Sequence, residues 1–405
     1  MKSFYIKLNN NISLANIWID GGTSLDKKEK RGTNQILLSL LTRGCKKYDK
    51  YEFSDYLDSY GAELIVEAFE DGISICLKSL SEYFDRLFPL LDLLIEEPNL
   101  YEKEFIFCQK ELLNSVIKSK ENLFNITFNN LKKILYLEHP YSYNSIGDEE
   151  SINKIKYQDI LNEYKSLRKR NMYLLTNSLK HSFFNLRDIK ANFYDKKLNK
   201  EKSKSFIKNK KNYIEYYSNS KQIIIIIGSQ TCPYNSKDSL TLKILESYLT
   251  YGMSSLLFKI FRENNGLTYD TGVFYPARKF NAPFLIYISV SERNASLTLK
   301  LLLSIWEDLL SKRLTNNELS LAKLKLKRSF LHCYRTSEEI ISRKVRLLGL
   351  NADPFFDERS EDLFEDIKTD HILSVSRKYL TDPFISISGG KKICKELEEI
   401  WKKKY

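Results

Sequence analysis

Four things are missing from this 405-residue chain, and each absence closes off a class of function. No apolar run is long enough to span a bilayer. The opening MKSFYIKLNNNISLANIWIDGG enters strand-like alternation at once, so neither a signal peptide nor a membrane partner is expected, and the location implied is cytoplasmic. No Cys-x-x-Cys pair or Cys/His cluster occurs. Cys45, Cys76, Cys108, Cys232, Cys333 and Cys394 are scattered, as reduced core thiols would be, and not grouped as zinc ligands or a disulfide framework. No aromatic-interleaved basic motif accompanies the net charge of +12, and much of the excess lies in Lys-rich stretches such as KKLNKEKSKSFIKNKKN (196–212), which read as solvated connector. Nucleic acid is therefore not an expected partner. Finally, His139 has no partner at metal spacing and reads as a turn histidine.

What is present describes a globular chain: 42% hydrophobic and 13% aromatic residues, with length enough for two or more cores. The first half reads strand, helix, helix, hairpin, helix, helix. In RGTNQILLSLLTRG (31–44), Thr33 or Asn34 can cap a helix whose apolar face is Ile36, Leu37, Leu40 and Leu41, and Gly44 stops it. Asp49 and Glu52 form a capping box for a second helix, with Phe53, Tyr56, Leu57 and Tyr60 at helical spacing before Gly61. AELIVEAFEDGISICLKSL alternates on both sides of Asp71-Gly72, a hairpin signal. YFDRLFPLLDLLIEEP reads as one amphipathic helix closed by Pro98, and NMYLLTNS as a strand. After the connector the order begins again with the strand QIIIIIG, the helices KDSLTLKILESYL and SSLLFKIFREN, two strands, and two more helices, the second opened by a Thr315–Glu318 capping box. The repeated order argues for a duplicated α+β unit.

The stretch 31–44, with IWIDGGTSLDKKEK before it and CKKYDKYEFSDYLDSYGAEL after, resembles the first core helix of the insulinase/pitrilysin metallopeptidases, the family that includes the mitochondrial processing peptidase. There the helix carries an inverted zinc motif, His-x-x-Glu-His, with two imidazoles on the metal and a carboxylate as general base. Aligned on Arg43-Gly44, those positions fall on Gln35, Leu38 and Ser39. Matching EKEFIFCQKELLNSVIKSKENL through LLNSVI puts the family's glutamate ligand at Ser115. An amide, an aliphatic residue and two hydroxyls replace the set, so the resemblance implies no metal and no catalytic residue in this chain.

The second half resembles the family more positively. YGMSSLLFKIFRENNGLTYDTGVFYP (251–276) matches a segment in which Gly-Met-Ser-Ser leads into a helix, an arginine and Gly-Leu-x-Tyr. Arg262 and Tyr269, seven residues apart, fall on that family's substrate-binding arginine and tyrosine. A guanidinium and a phenol can donate hydrogen bonds to a peptide carbonyl or to the oxyanion formed from it. Residues 252–255 read more simply as the start of that helix.

The implied fold is α+β, with two structurally repeated halves, each an antiparallel sheet with helices packed on one face, closing as a clamshell. Its divisions are an N-terminal domain (1–190), a Lys-rich connector (191–220) and a C-terminal domain (221–405). The implied function is that of a non-catalytic subunit of a heterodimeric peptidase. A paralogous partner carries the zinc, and Arg262 and Tyr269 hold the peptide substrate in trans. Two alternatives stand beside it: a structural or adaptor subunit with no part in proteolysis, and a zinc endopeptidase with atypical ligands.

Overall fold

The protein is seen in a computed structural model that describes residues 1–8, 11–179, 186–190, 209–268, 270–332 and 334–405, without the side chains of 360 and 361. In chain order the first elements are β1 (Lys2–Tyr5), β2 (Ile12–Asp20), α1 (Thr33–Leu41), α2 (Lys50–Ser59), β3 (Glu63–Ala68) and β4 (Gly72–Leu80). Next come α3 (Ser81–Leu87), α4 (Pro89–Glu96), α5 (Glu102–Ser119), α6 (Leu123–Tyr136), α7 (Glu149–Asn153), α8 (Tyr157–Leu167), β5 (Met172–Thr176) and β6 (Arg187–Asp188). Then follow β7 (Tyr213–Tyr217), β8 (Gln222–Gln230), α9 (Asp238–Thr250), β9 (Asp270–Phe274), β10 (Pro283–Ser291) and α10 (Ala295–Ser311). The chain ends with α11 (Asn316–His332), α12 (Ser337–Gly349), α13 (Phe356–Asp366), α14 (Thr369–Leu380), β11 (Phe384–Gly389) and α15 (Lys391–Lys402).

Two compact units result, and neither is a continuous half of the chain. One comprises 1–118, 144–199 and 332–356; the other comprises 119–143, 200–331 and 357–405. Each half of the sequence thus lends one helical stretch to the unit built mainly by the other, α12 in one direction and α6 in the other. The connector expected at 191–220 lies largely outside the described residues, but part of it is structured. Tyr213–Tyr217, where β-favouring tyrosines and an isoleucine cluster, is strand β7, paired parallel to β11.

The first unit holds a six-stranded sheet in the order β3-β4-β2-β5-β1-β6. Its neighbours run antiparallel except at β1, which is parallel to both β5 and β6. Because side chains alternate along a strand, β2 sends Ala15, Ile17 and Ile19 to one face and Leu14, Asn16 and Trp18 to the other. The first set joins the large core built with α1, α2, α4 and α5. The second set packs with Ile341, Val345 and Leu348 of α12. Burying those three side chains stabilises the unit by on the order of 6 kcal/mol. Asn16 ties strand to helix, donating through Nδ2 to Ser342 Oγ at 3.0 Å and accepting from Ser74 Oγ at 3.0 Å. Trp18 fits only because two neighbours lack side chains: a Cβ would lie 2.1 Å from its ring at Gly72 and 1.9 Å from its Nε1 at Gly349.

The second unit holds a five-stranded sheet, β7-β11-β8-β10-β9. Ile224 and Ile226 of β8 pack with Leu131, Ile134 and Leu135 of α6, so Ile223, Ile225 and Ile227 face the side where α14 meets β8. The unbroken isoleucine run is the signature of a strand buried on both faces. Thr127 of α6 donates to Ser388 of β11 at 2.7 Å, and Trp306 Nε1 of α10 to the Leu380 carbonyl of α14 at 2.9 Å.

Candidate functional site

At the first candidate region, α1 begins from a buried acid rather than from a hydroxyl or amide next to it. The N-cap position is Gly32, at φ +100, and the side chains of Thr33 and Asn34, expected as caps, do not fill that role. Asp26 does. Its carboxylate accepts from the Gly32 amide (2.9 Å), the Asn34 amide (3.0 Å) and Asn34 Nδ2 (2.6 Å), satisfying donors the helix cannot satisfy itself. Burial raises the Asp26 carboxyl to about 6, against the lowering effect of the Asn34 and Gly32 hydrogen bonds and with a further push from Glu163. Asn34 also donates to Glu163 at 3.1 Å, and Arg170 pairs with Glu163.

Along α1 the three singled-out positions differ in exposure. Gln35 is half-buried, Leu38 is 4% exposed within the large core, and Ser39 faces solvent. Ser115 on α5 is exposed, its hydroxyl donating to the Glu111 carbonyl one turn back at 3.0 Å. The link between the end of α1 and α5 is ionic: Arg43 lies 2.7 Å from Glu111 and 3.7 Å from Glu104, its guanidinium 4.5 Å over Phe107. Cys108, beneath them, is buried, and burial pushes its thiol up. Among the described residues no three His, Cys, Asp or Glu side chains gather where they could hold a metal. His139 accepts from the Tyr141 amide at 3.2 Å, capping the short turn Pro140–Ser142, the role its sequence implied.

The second region runs from 251 to 274. After α9 the chain turns at Gly252 (φ +77), exposes Met253 (76%) and buries Ser255, whose carbonyl accepts the Lys259 amide at 3.0 Å. Residues 252–255 form the turn that leads into the helix that follows, which starts at Leu256. That helix widens over Phe258–Asn264 to a π-helical pitch, a form that often marks functional positions. Phe261 is fully buried, and its carbonyl accepts from Leu267 (2.7 Å) and Thr268 (3.4 Å). Thr268 Oγ1 donates to the Ser289 carbonyl and receives the Asp270 amide at 3.1 Å. These bonds fix the turn at Gly266 (φ +57) against β10. Arg262 is exposed, its guanidinium 5.1 Å over the Phe258 ring. Tyr269 lies outside the described residues.

Several residues here escaped the sequence reading. Lys259 sits three positions before Arg262, and α11 carries Lys323, Lys325, Lys327 and Arg328 in KLKLKR. The Lys325 ammonium is pushed below its ordinary value, first by burial and then by the charge of Lys259. The signal was the density of cations along one helix, masked by a similar density elsewhere. Two cavities of about 470 and 360 Å³ lie at the other end of this unit's sheet, sharing Thr231, Asn281, Lys378 and Tyr379, and contain none of the candidate residues.

With the geometry in place, comparison with known proteins is informative. The family model described as "Insulinase (Peptidase family M16)" matches residues 5–149, and the one described as "Peptidase M16 inactive domain" matches 175–326. "Non-peptidase homolog YmxG" of Helicobacter pylori is 24% identical over 314 residues, 75% of this chain and 71% of its own. An "Uncharacterized zinc protease" of Rickettsia felis is 22% identical over 374 residues, 88% and 87% of the two chains. The mitochondrial-processing peptidase subunit beta of Neurospora crassa is 21% identical over 154 residues, 38% of this chain and 32% of its own. Among solved structures, a peptidase M16 inactive domain from Pseudomonas fluorescens superposes with a TM-score of 0.81 at 18% identity, covering 96% and 95% of the chains. A protease from Helicobacter pylori superposes with a TM-score of 0.82 at 18% identity, covering 95% and 96%. At that identity the likeness establishes the fold.

Proposed function

Because the chain belongs to the insulinase family, peptidase M16, we propose that it is the non-catalytic, substrate-binding subunit of a heterodimeric peptidase. One observation carries this reading. The positions equated with the family's zinc site hold Gln35, Leu38, Ser39 and Ser115, with Leu38 buried in apolar core, while Arg262 stands exposed on a helix whose far end is pinned by the Phe261 carbonyl. A neutral amide and hydroxyls are poor ligands for a divalent ion, and Leu38 has no proton to give or take. A partner of the same family with an intact His-x-x-Glu-His would bring one zinc ion, which supplies the Lewis acid and the activated water. This chain would bring Arg262 and Tyr269, donating hydrogen bonds to the substrate carbonyl and to the oxyanion that grows from it. Among the described residues no helix is long and apolar enough to cross a membrane, and the proposed complex is cytoplasmic.

The test mixes purified chain with such a partner and measures peptide hydrolysis. The mixture is expected to cleave, and Arg262→Ala or Tyr269→Phe to lower kcat/KM about 100-fold, the usual cost of an oxyanion donor. Tight association with unchanged rates in both variants would make the chain a structural or adaptor subunit, in keeping with the "non-peptidase" name of its Helicobacter relative. Stoichiometric zinc in the isolated chain, with hydrolysis by that chain alone, would make it an enzyme with atypical ligands and end the proposal.

A further inference from the structure

Beside Arg262 the sequence is rich in lysine and arginine, on its own helix and on α11. On α11 the exposed side chains Leu321 (42%), Leu324 (46%), Arg328 and Leu331 (62%) recur at steps of three and four, so they share one face, with Lys325 at its margin. Two hydrogen bonds tie α11 to α9. Ser247 Oγ donates to the Ala322 carbonyl at 2.8 Å, and Tyr248 OH donates to Glu318 at 3.1 Å, two turns before Lys325. Burial first, and the charge of Lys259 second, push the Lys325 ammonium below its ordinary value.

Against the effect of burial, the Thr315 and Tyr248 hydrogen bonds and the charge of Lys259 hold the Glu318 carboxyl below its ordinary value, so Lys259 already faces one carboxylate while it repels Lys325. Glu318, the one carboxylate of α11, is engaged through Oε1 by Tyr248 and through Oε2 by the Thr315 amide and hydroxyl. Among the described residues the side chains of Lys259, Lys325 and Arg328 carry no hydrogen bond or ion pair. Glu263, exposed next to Arg262, is the only acid on residues 256–264. The face therefore combines Lys325 and Arg328 with a row of exposed leucines.

We infer that Lys259, Lys325 and Arg328, with Leu321, Leu324 and Leu331, form a docking surface for an acidic peptide segment that carries leucine-like residues between its carboxylates. Charge complementarity and the apolar stripe identify the occupant. A peptide is favoured over a lipid surface because Lys325 is half-buried, within reach of a side-chain carboxylate but not of a flat headgroup layer. The inference deepens the proposed function by giving the substrate a chemical class, and rests on that reading only for the place of Arg262 beside the surface.

The test uses the full chain alone and fluorescence anisotropy with a labelled twelve-residue peptide of alternating Glu and Leu pairs, its Glu→Gln counterpart and its Glu→Lys counterpart. The acidic peptide is expected to bind about tenfold more tightly than the neutral one at low salt and to lose that advantage as ionic strength rises. Lys325→Gln and Lys259→Gln are expected to weaken it about fivefold each. Lys325→Glu reverses the local sign and is expected to shift preference toward the Lys peptide. Equal affinity for the acidic and neutral peptides, or acidic binding that ignores all three variants, overturns the inference. So does co-sedimentation with phosphatidylglycerol vesicles in preference to the acidic peptide. Hydrolysis with the partner reports on Arg262 and Tyr269, and anisotropy on the lysines, so either reading can fail without the other.

Discussion

α1 and the helix that carries Arg262 bear the two ends of the family resemblance, and they are built in opposite ways. α1 is enclosed: Asp26 closes its start from within, Leu38 sits in core, and among the described residues no side-chain hydrogen bond fixes Gln35 or Ser39. The Arg262 helix is open: one buried phenylalanine and its carbonyl hold the backbone, and the charged side chains project outward. A helix relieved of chemistry can be absorbed into packing, whereas one that still meets a partner or substrate keeps its charges on the surface. Substitutions in α1 should therefore be read in stability, and those around Arg262 in rate or affinity.

The hardest blow to this contrast would be to restore the acid at position 38. Leu38→Glu places a carboxylate among apolar side chains with no counter-charge, and unfolding in urea is expected to show a loss of about 4 kcal/mol. A loss below about 1 kcal/mol would mean that position 38 opens to water and that the enclosure of α1 is misread.

Asp26 gives the next largest effect, through pH. Its folded value of about 6 lies above the ordinary 3.8, so between those values the folded state binds a proton that the unfolded state has released. The contribution of this group is therefore fully present at low pH and is lost as pH rises through the window from about 4 to about 6. The loss is on the order of 3 kcal/mol. Asp26→Asn keeps an acceptor oxygen but cannot titrate. The stability difference between wild type and this variant, measured from pH 4 to 7, should move against the wild type by that amount. A flat difference would show that the acid is solvated.

These two sites also show where sequence reading reached and where it stopped. Signals confined to a few residues were legible: the Asp49–Glu52 capping box is formed on both sides, the Asp71-Gly72 hairpin joins β3 to β4, and Thr315–Glu318 caps α11. Two local signals were misread: neither Thr33 nor Asn34 caps α1, and one predicted helix is broken. The segment expected as a single helix is two, α3 and α4, because Pro89 has no amide to continue the ladder and instead starts a new first turn. What lay hidden depends on residues far apart in the chain. Asp26 caps a helix from six residues upstream of Gly32, and α12 covers a sheet whose central strand ends at Asp20. The double alternation of β2 demanded a cover for its second face, but no local pattern names residues more than three hundred positions away.

Around Arg262 the expected effect moves from stability to rate. Arg262→Ala removes an exposed side chain stacked on Phe258, so the melting free energy should change by less than about 1 kcal/mol. The same substitution should cost about 100-fold in kcat/KM with a zinc-bearing partner. The pairing of those two numbers matters more than either. A large stability loss would place Arg262 with α1, as a packing residue, and the contrast between the regions would fail.

The smallest effect is the sharpest, because the resemblance alone gives Ser115 importance. Its hydroxyl is exposed and donates to the carbonyl of its own helix one turn earlier, a bond that water replaces without loss. Ser115→Ala is therefore expected to change stability by no more than about 0.5 kcal/mol and to leave hydrolysis by the mixture unchanged. Alanine also improves helix propensity, so the sign should be slightly stabilising. If the variant instead lowered zinc-dependent hydrolysis, the hydroxyl would have to lie within reach of the reacting atoms. The ion pair of Arg43 with Glu111, one turn away, would then border a chemical site rather than replace one.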